Sequence, residues 1–340
     1  MTILGFGTSI AELTASGIYN GAYIGSTTSS VQRGPYVAEG VSLLGSQTAL
    51  QPDDVGCPEL FFTPGADVWV SFYSYMGTAT AATADGVPFQ VNGGGVELFR
   101  LKATNGAYGL EYHNGGSWTA TGTKVAVPTN TLFRNDVHIV VHDSTGTLTW
   151  YVDGTEVTES TFGPGDTLRR GESNVDSVEF AHTLSAGAVS YASAVFISDT
   201  DSRLIHYAQD PIDGAGAETD WTGAYTDIDE IGVDHTDFIQ GALNGDKATY
   251  TFAALDAVFN TTAYTIVGLG VSARAVKGAT GPANLQLAVR ENVTNGFSGN
   301  KALTGMWKLH QHMFPLNPDT ASAWTFAEAD AAEVGVQAIT

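Results

Sequence analysis

One cysteine, Cys57, in 340 residues leaves no intrachain disulfide framework to hold this chain together. Basic residues are scarce as well. Fourteen Lys and Arg stand against 36 Asp and Glu, for a net charge of −22 at pH 7. A field of that sign repels phosphate backbones and anionic membrane surfaces, so nucleic acid is excluded as a partner and the charge reads as a solubility device. No apolar run reaches the roughly 18–20 residues that a bilayer-spanning helix needs. The opening MTILGFGTSIAEL has no basic region, so neither membrane insertion nor a secretory leader is expected. Runs of helix formers are nearly missing, and charged residues make up only 15% of the chain, so much of the surface falls to Thr, Ser, Asn, Gln and Gly. That composition excludes a helical bundle and favours short strands joined by many turns.

What is present is two-residue alternation punctuated by turns. Residues 96–158 read as one antiparallel meander of four segments, with Asn105-Gly106, Asn114-Gly115, Thr145-Gly146 and Asp153-Gly154 between them. Asn-Gly and Asp-Gly suit type I′ hairpins, whose two central residues both need positive φ. Val137, Ile139 and Val141 alternate with His138, Val140 and His142, which describes a sheet with one buried and one wet face. In DVWVSFYSYM (67–76) both parities are apolar, which predicts a strand covered on both faces. Leu60–Thr63, Val175–Phe180 and Ala188–Ser198 are further strands of this region, with a weaker hint at Val41–Leu44.

Residues 208–220, AQDPIDGAGAETD, mark a domain boundary by their Pro, Gly and acid content. The division read from sequence is a small apolar docking arm at 1–25, a β domain at 26–207 and a second β module at 208–340. In the second module Thr249–Ala253, Thr265–Ala275 and Leu285–Arg290 are strands. Thr325 followed by Glu328 forms a capping box that opens a short helix to Val334; Gly335 is expected to end it, before a last strand VQAIT.

Two stretches resemble known families. Residues 35–200, through DVWVSFYSYM, VELFRLK, GAYGLEYHNGGSW, DVHIVVHD, TLTWYVDGTEV and AVSYASAVFISDTDSR, resemble the concanavalin-like or laminin-G-like jelly roll. Residues 205–340, through DWTGAYTDIDE, TIVGLGVSARAVKGATGPANLQLAVR and NPDTASAWTFAEADAAEVGVQAIT, are similar to the C-terminal module of tailed-bacteriophage virion proteins. The first resemblance implies an all-β jelly-roll sandwich, followed here by a smaller β-sandwich with one short C-terminal helix. The second implies a structural protein of the virion, assembled in the host cytoplasm and displayed as a fibre, spike or minor head or tail component. Its expected partners are other virion proteins, further copies of itself (a trimer by preference) and a host-surface glycan. The alternative is a carbohydrate-binding or glycan-cleaving jelly-roll protein.

Candidate chemistry is sparse. Asp227, Asp229, Glu230, Asp234 and Asp237 form the densest acidic run, yet they lack the Gly and distal Glu of a helix–loop–helix calcium loop. Asp199 and Asp201 suggest a calcium rim at the end of the jelly roll, by the laminin-G resemblance. His310 and His312 share one face of a strand, but no third ligand accompanies them, and they are read as facing solvent or a subunit interface. His138 and His142 are read as cross-strand packing. Glu97 and Glu111 lie on adjacent strands, while the E-x-D-x-x-E signature of jelly-roll glycosidases, whose two acids stand about 5–9 Å apart, is missing. The run Asn92–Gly95 is a turn without the Lys and helix of a phosphate loop. Asn260-Thr261-Thr262 and Asn292-Val293-Thr294 match the glycosylation pattern but carry no meaning without secretion. Trp118, beside Gly115-Gly116, either stacks on a sugar or packs the sheet edge. The sequence therefore assigns no catalytic, cofactor-binding or metal-binding residue and no cofactor, and the expectation is a protein that is not an enzyme.

Overall fold

The computed structural model describes residues 3–7, 59–76, 86–128, 132–168, 171–184, 190–205, 212–228, 237–252 and 265–340. The chain divides into two compact units between Tyr207 and Ala208.

The first unit contains β1 (Ile3–Gly7), β2 (Glu59–Gly65), β3 (Asp67–Met76), β4 (Gly86–Gly93), β5 (Val96–Thr104), β6 (Ala107–His113), β7 (Trp118–Ala120), β8 (Val125–Ala126), β9 (Leu132–Val140), β10 (Gly146–Val152), β11 (Thr155–Glu156), β12 (Phe162–Gly165), β13 (Val175–Leu184) and β14 (Ser190–Ser198). One sheet runs β1-β14-β3-β9-β10-β11, with β12 also on β10. The other runs β2-β13-β4-β5-β6-β7, with β8 also on β6. Every pairing is antiparallel. The chain passes back and forth between the sheets, as a jelly roll requires.

One core joins the two sheets. Val68, Val70, Phe72, Val137, Ile139, Leu148 and Trp150 from the first meet Phe89, Val91, Phe99, Leu101, Tyr108 and Leu110 from the second. The rings of Phe72 and Phe89 stack 4.9 Å apart. As its double apolar parity predicts, β3 is an inner strand buried on both faces from Val68 to Phe72. The hairpins at Asn105-Gly106 (φ 49° and 78°) and Asp153-Gly154 (φ 48° and 76°) use the left-handed conformations those residues tolerate.

Three expectations need correction here. The stretch 96–158 is not one meander: β5–β6 and β9–β10 are hairpins of different sheets, and local alternation does not say which sheet a hairpin joins. The first residues of the 1–25 arm do not stand apart, because β1 pairs with β14 at the edge of the first sheet, with Phe6 opposite Phe196. The rest of that arm, Cys57 and the hint at Val41–Leu44 lie outside the described residues. Gly146 is not a turn residue but begins β10, where a side chain would run into Thr167.

The second unit contains β15 (Ile212–Thr219), β16 (Lys247–Phe252), β17 (Leu269–Ala275), β18 (Asn284–Glu291), β19 (Thr294–Phe297), β20 (Lys301–Ala302), β21 (Lys308–Phe314), α1 (Phe326–Ala331) and β22 (Glu333–Ile339). A six-stranded sheet, β15-β16-β22-β18-β19 with β20 on β18, accompanies the two-stranded β17-β21 ribbon. Leu285, Leu287, Val289, Val336, Val271, Phe314, Trp324 and Ala329 form their common core. The capping box is as read: Thr325 Oγ1 accepts from Glu328 N (3.2 Å) and Thr325 N donates to Glu328 Oε2 (2.8 Å). The helix nevertheless ends at Ala331, and Gly335 belongs to the middle of β22, where a Cβ would collide with the Ala248 carbonyl. Gly335 is there for close backbone approach and stops no helix. The 208–220 segment, read as a domain boundary, opens the second unit and is largely β15, whose Gly214 and Gly216 bring its backbone close to Thr251 and Thr249.

Candidate functional site

The face of the second sheet turned away from the core carries a polar row. Register places Glu179 (β13), Gln90 (β4), Arg100 (β5) and Glu111 (β6) side by side across four adjacent strands. Asn92 and Glu97 pair in the neighbouring row. A β-bulge makes this possible. Val91 opposes Phe99 while Asn92 opposes Glu97, so Leu98 is the extra residue and enters the core with Phe99. Without it, Glu97 would share the parity of Phe99 and point inward; with it, Glu97, Arg100 and Lys102 share the polar face.

At one end of the row Glu111 accepts from Arg100 Nε (2.8 Å) and pairs with Arg100 Nη2 (2.6 Å) and Lys124 Nζ (3.3 Å). The Arg100 guanidinium lies 4.0 Å over the Trp118 ring, and His113 meets that ring edge-on at 5.1 Å. Trp118 is thus part of the sheet-edge packing on β7 while remaining partly exposed. Arg100, Lys102 and Lys124 are three of the five Lys and Arg among the described residues of the first unit. At the other end Gln90 Nε2 donates to Asn92 Oδ1 (3.1 Å), Glu97 Oε1 (3.4 Å) and Glu179 Oε2 (3.5 Å), and Asn92 Nδ2 donates to Glu179 Oε1 (2.9 Å). Gln90 is 1% exposed, and its Oε1 has no hydrogen-bond partner.

Glu97 and Glu111, paired in the sequence reading, go to different ends of this face. Their actual neighbours, Gln90, Glu179 and Arg100, include one that is 89 residues from its partner in sequence, a separation that no local motif reports.

The remaining candidates take structural places. Asp201 is held by Arg203 through both carboxylate oxygens (2.9 Å to Oδ1, 2.5 Å to Oδ2), and that guanidinium keeps its carboxyl below the usual range. A calcium rim there is therefore withdrawn for Asp201. Arg203 in turn lies over Tyr151 (4.4 Å) and Trp69 (5.3 Å), and His138 stacks on Trp69 at 4.2 Å and bonds Asp67 at 2.8 Å. His138 is thus the cross-strand packing expected, while His142 sits exposed in the turn before β10. Asp227 Oδ2 accepts from Ala224 N (2.8 Å) in a 3₁₀ turn; Asp229, Glu230, Asp234 and Asn260 lie outside the described residues.

His310 and His312 are half-buried. They line the ribbon opposite Ala273 and Val271, against the second unit's core, and burial, with Lys301 nearby, holds both imidazoles below their usual range. Among the described residues no three His, Cys, Asp or Glu converge as a metal-binding group.

No family model and no curated protein sequence matches this chain. Solved structures do. The chain is similar to the alginate lyase Aly36B (14% identity, 59% of this chain and 95% of that one, TM-score 0.37). It is also similar to the cellulose-induced protein Cip1 (16%, 47% and 84%, TM-score 0.34) and to the alginate lyase vAL-1 from Chlorella virus (8%, 58% and 99%, TM-score 0.37). The GH43 protein BlXynB from Bacillus licheniformis is a further similar structure (8%, 44% and 32%, TM-score 0.33). These neighbours are β-sandwich jelly-roll proteins of carbohydrate-binding or glycan-active kinds, in keeping with the all-β jelly-roll fold. Because enzymes stand among them, the expectation that this chain is not an enzyme is overturned.

Proposed function

We propose that the first unit recognises a carbohydrate chain along the polar face of its second sheet. The observation that carries this reading is the Glu179–Gln90–Arg100–Glu111 row ending at Trp118. Sugar hydroxyls both donate and accept, and the partly exposed members of this face, Glu179, Arg100 and Lys102, offer a carboxylate acceptor and cationic donors. The aromatic ring supplies an apolar surface for a pyranose face, and the Arg100–Lys102–Lys124 end favours a saccharide bearing carboxylates.

Arg100→Ala and Trp118→Ala are each expected to weaken binding at least about tenfold, the equivalent of about 1.4 kcal/mol and within the range of one charged hydrogen bond. Calorimetric titration against neutral and uronate-containing oligosaccharides checks this, with product ends followed in the same samples to register cleavage. Absence of binding to both classes, or binding indifferent to both substitutions, overturns the reading.

A second reading, display on a bacteriophage particle as an oligomer, rests on the resemblance of residues 205–340. Residues of that resemblance pack together in one corner of the second unit. Asn317, fully buried, accepts from Asp319 N (2.8 Å), Asp319 accepts from Thr294 Oγ1 (2.5 Å), and Trp324 Nε1 donates to the Phe314 carbonyl (2.9 Å). Under this reading the chain is found by mass spectrometry at stoichiometric level in purified particles; its absence from them ends the reading.

A further inference from the structure

We infer that Asn105, in the β5–β6 turn, is a modification site whose side-chain amide is hydrolysed without an enzyme, water being the co-reactant, to aspartate and isoaspartate. The inference does not depend on the carbohydrate reading.

The chemistry needs the Asn side chain and the next backbone N–H to be free at once. The backbone nitrogen attacks Asn Cγ, its proton passes to water, ammonia leaves and a cyclic imide forms. Water then opens the ring. Attack at Cγ gives aspartate, and attack at the backbone carbonyl leaves the main chain running through Cβ and Cγ, as isoaspartate. Glycine is the most favourable following residue, since it has no side chain to obstruct the approach.

Asn precedes Gly at positions 20, 92, 105, 114, 244 and 295, of which the first lies outside the described residues. The rest differ in what holds them. Asn92 is 6% exposed, donates to Glu179 and accepts from Gln90. Asn114 Oδ1 accepts from Gly116 N (3.2 Å) and Ser117 N (2.9 Å), and its Nδ2 donates to Thr119 Oγ1 (2.9 Å). Its neighbour Gly115 N donates to His113 Nδ1 (3.1 Å). Asn244 Oδ1 accepts from Thr340 N (2.9 Å), while Gly245 N donates to the Ala338 carbonyl (2.8 Å). Asn295 Nδ2 donates to Glu218 Oε1 (3.4 Å), and Gly296 lies opposite Val289 in the β18–β19 ladder. Asn105 is exposed, and among the described residues neither its side chain nor the Gly106 N–H makes a hydrogen bond. It is the one pair of the five in which electrophile and nucleophile are both unrestrained. Each hydrogen bond that must open first slows the step by up to about tenfold.

The two products differ in consequence. Aspartate suits this turn, since Asp153-Gly154 holds φ of 48° and 76° where Asn105-Gly106 holds 49° and 78°. Isoaspartate lengthens the main chain inside a two-residue loop that sets the register of β5 on β6, and that register puts Arg100 opposite Glu111.

The test holds the full chain at mildly alkaline pH for weeks, folded in buffer and in parallel unfolded in urea. Conversion at each Asn is followed by peptide mapping that separates aspartate from isoaspartate. In the folded chain Asn105 is expected to convert at least about tenfold faster than Asn92, Asn114, Asn244 or Asn295. In urea, where no fold restrains the other pairs, that preference is expected to vanish. Conversion in the folded chain at any of the other four as fast as at Asn105 overturns the inference. A preference for Asn105 that persists in urea overturns it too, because the cause would then be local sequence and not the turn.

Discussion

Trp150→Ala is expected to unfold the first unit or bring it close to unfolding. Trp150 is fully buried on β10, facing the opposite sheet, with the largest side chain among the fully buried residues. Removing a buried Trp costs about 3–5 kcal/mol in lost transfer energy and residual cavity. A second cost follows from its indole nitrogen, which donates to Asn135 Oδ1 at 3.1 Å, while Asn135 Nδ2 donates to Ser74 Oγ at 2.9 Å. Asn135 is itself wholly buried on β9. With the indole gone its oxygen has no partner, which adds about 1–3 kcal/mol. The total is comparable to the entire stability of an ordinary domain, about 5–15 kcal/mol. In calorimetry the endotherm of the first unit should fall by at least about 10 °C or disappear, at roughly 2–4 °C per kcal/mol for a unit of this size. Trp150→Phe separates the two costs, since it keeps most of the ring and loses only the hydrogen bond, so its shift should be less than half as large. A shift below about 3 °C for the alanine variant would mean that the two sheets are not joined through this residue.

How much of this was legible in the sequence depends on the range over which each feature is determined. The Asn105-Gly106 and Asp153-Gly154 turns are set by two residues whose backbone preferences are intrinsic, and both form as read. The Thr325–Glu328 capping box is a four-residue device and forms too. Double burial of β3 follows from apolar residues at both parities. The failures are all non-local. Hairpins β5–β6 and β9–β10 have the same alternation, and only packing sends them to different sheets. Gly335 reads as a helix stop until β16 is known to lie against it. His310 and His312 read as facing solvent or a subunit interface because a two-stranded ribbon gives no hint of which face its core will cover; they are half-buried. The candidate site shows the same limit. Glu97 and Glu111 were visible as acids on neighbouring strands. The bulge at Leu98–Phe99, the Arg100 partner of Glu111, and the distant Gln90–Glu179 contact together decide what those acids do.

Arg134→Ala is expected to be the most damaging single change on the other face of the first sheet. Asp136 on β9 has no exposure and accepts from Arg134 Nε at 3.0 Å, Arg134 Nη2 at 2.9 Å and Ser71 Oγ at 2.5 Å. Removing the guanidinium leaves a buried carboxylate with one hydroxyl donor and no counter-ion, a loss of about 3–5 kcal/mol. The pair itself is not the source of that stability, since desolvating two charges offsets most of their attraction. The double variant Arg134→Met with Asp136→Leu should therefore recover most of the loss, although each single change is costly. Arg134 also does something the double variant cannot restore. Its Nη1 donates to the Ile205 carbonyl at 2.6 Å and its Nη2 to the Ser202 carbonyl, while Ser202 Oγ bonds Ser71 Oγ at 2.6 Å. These bonds fix the segment that lays Arg203 over Trp69 and Tyr151. Amide exchange at residues 202–205 should thus quicken in the single and the double variant alike, while global stability returns only in the double. A double variant as unstable as Arg134→Ala would show that the tether, not the unpaired charge, sets the cost.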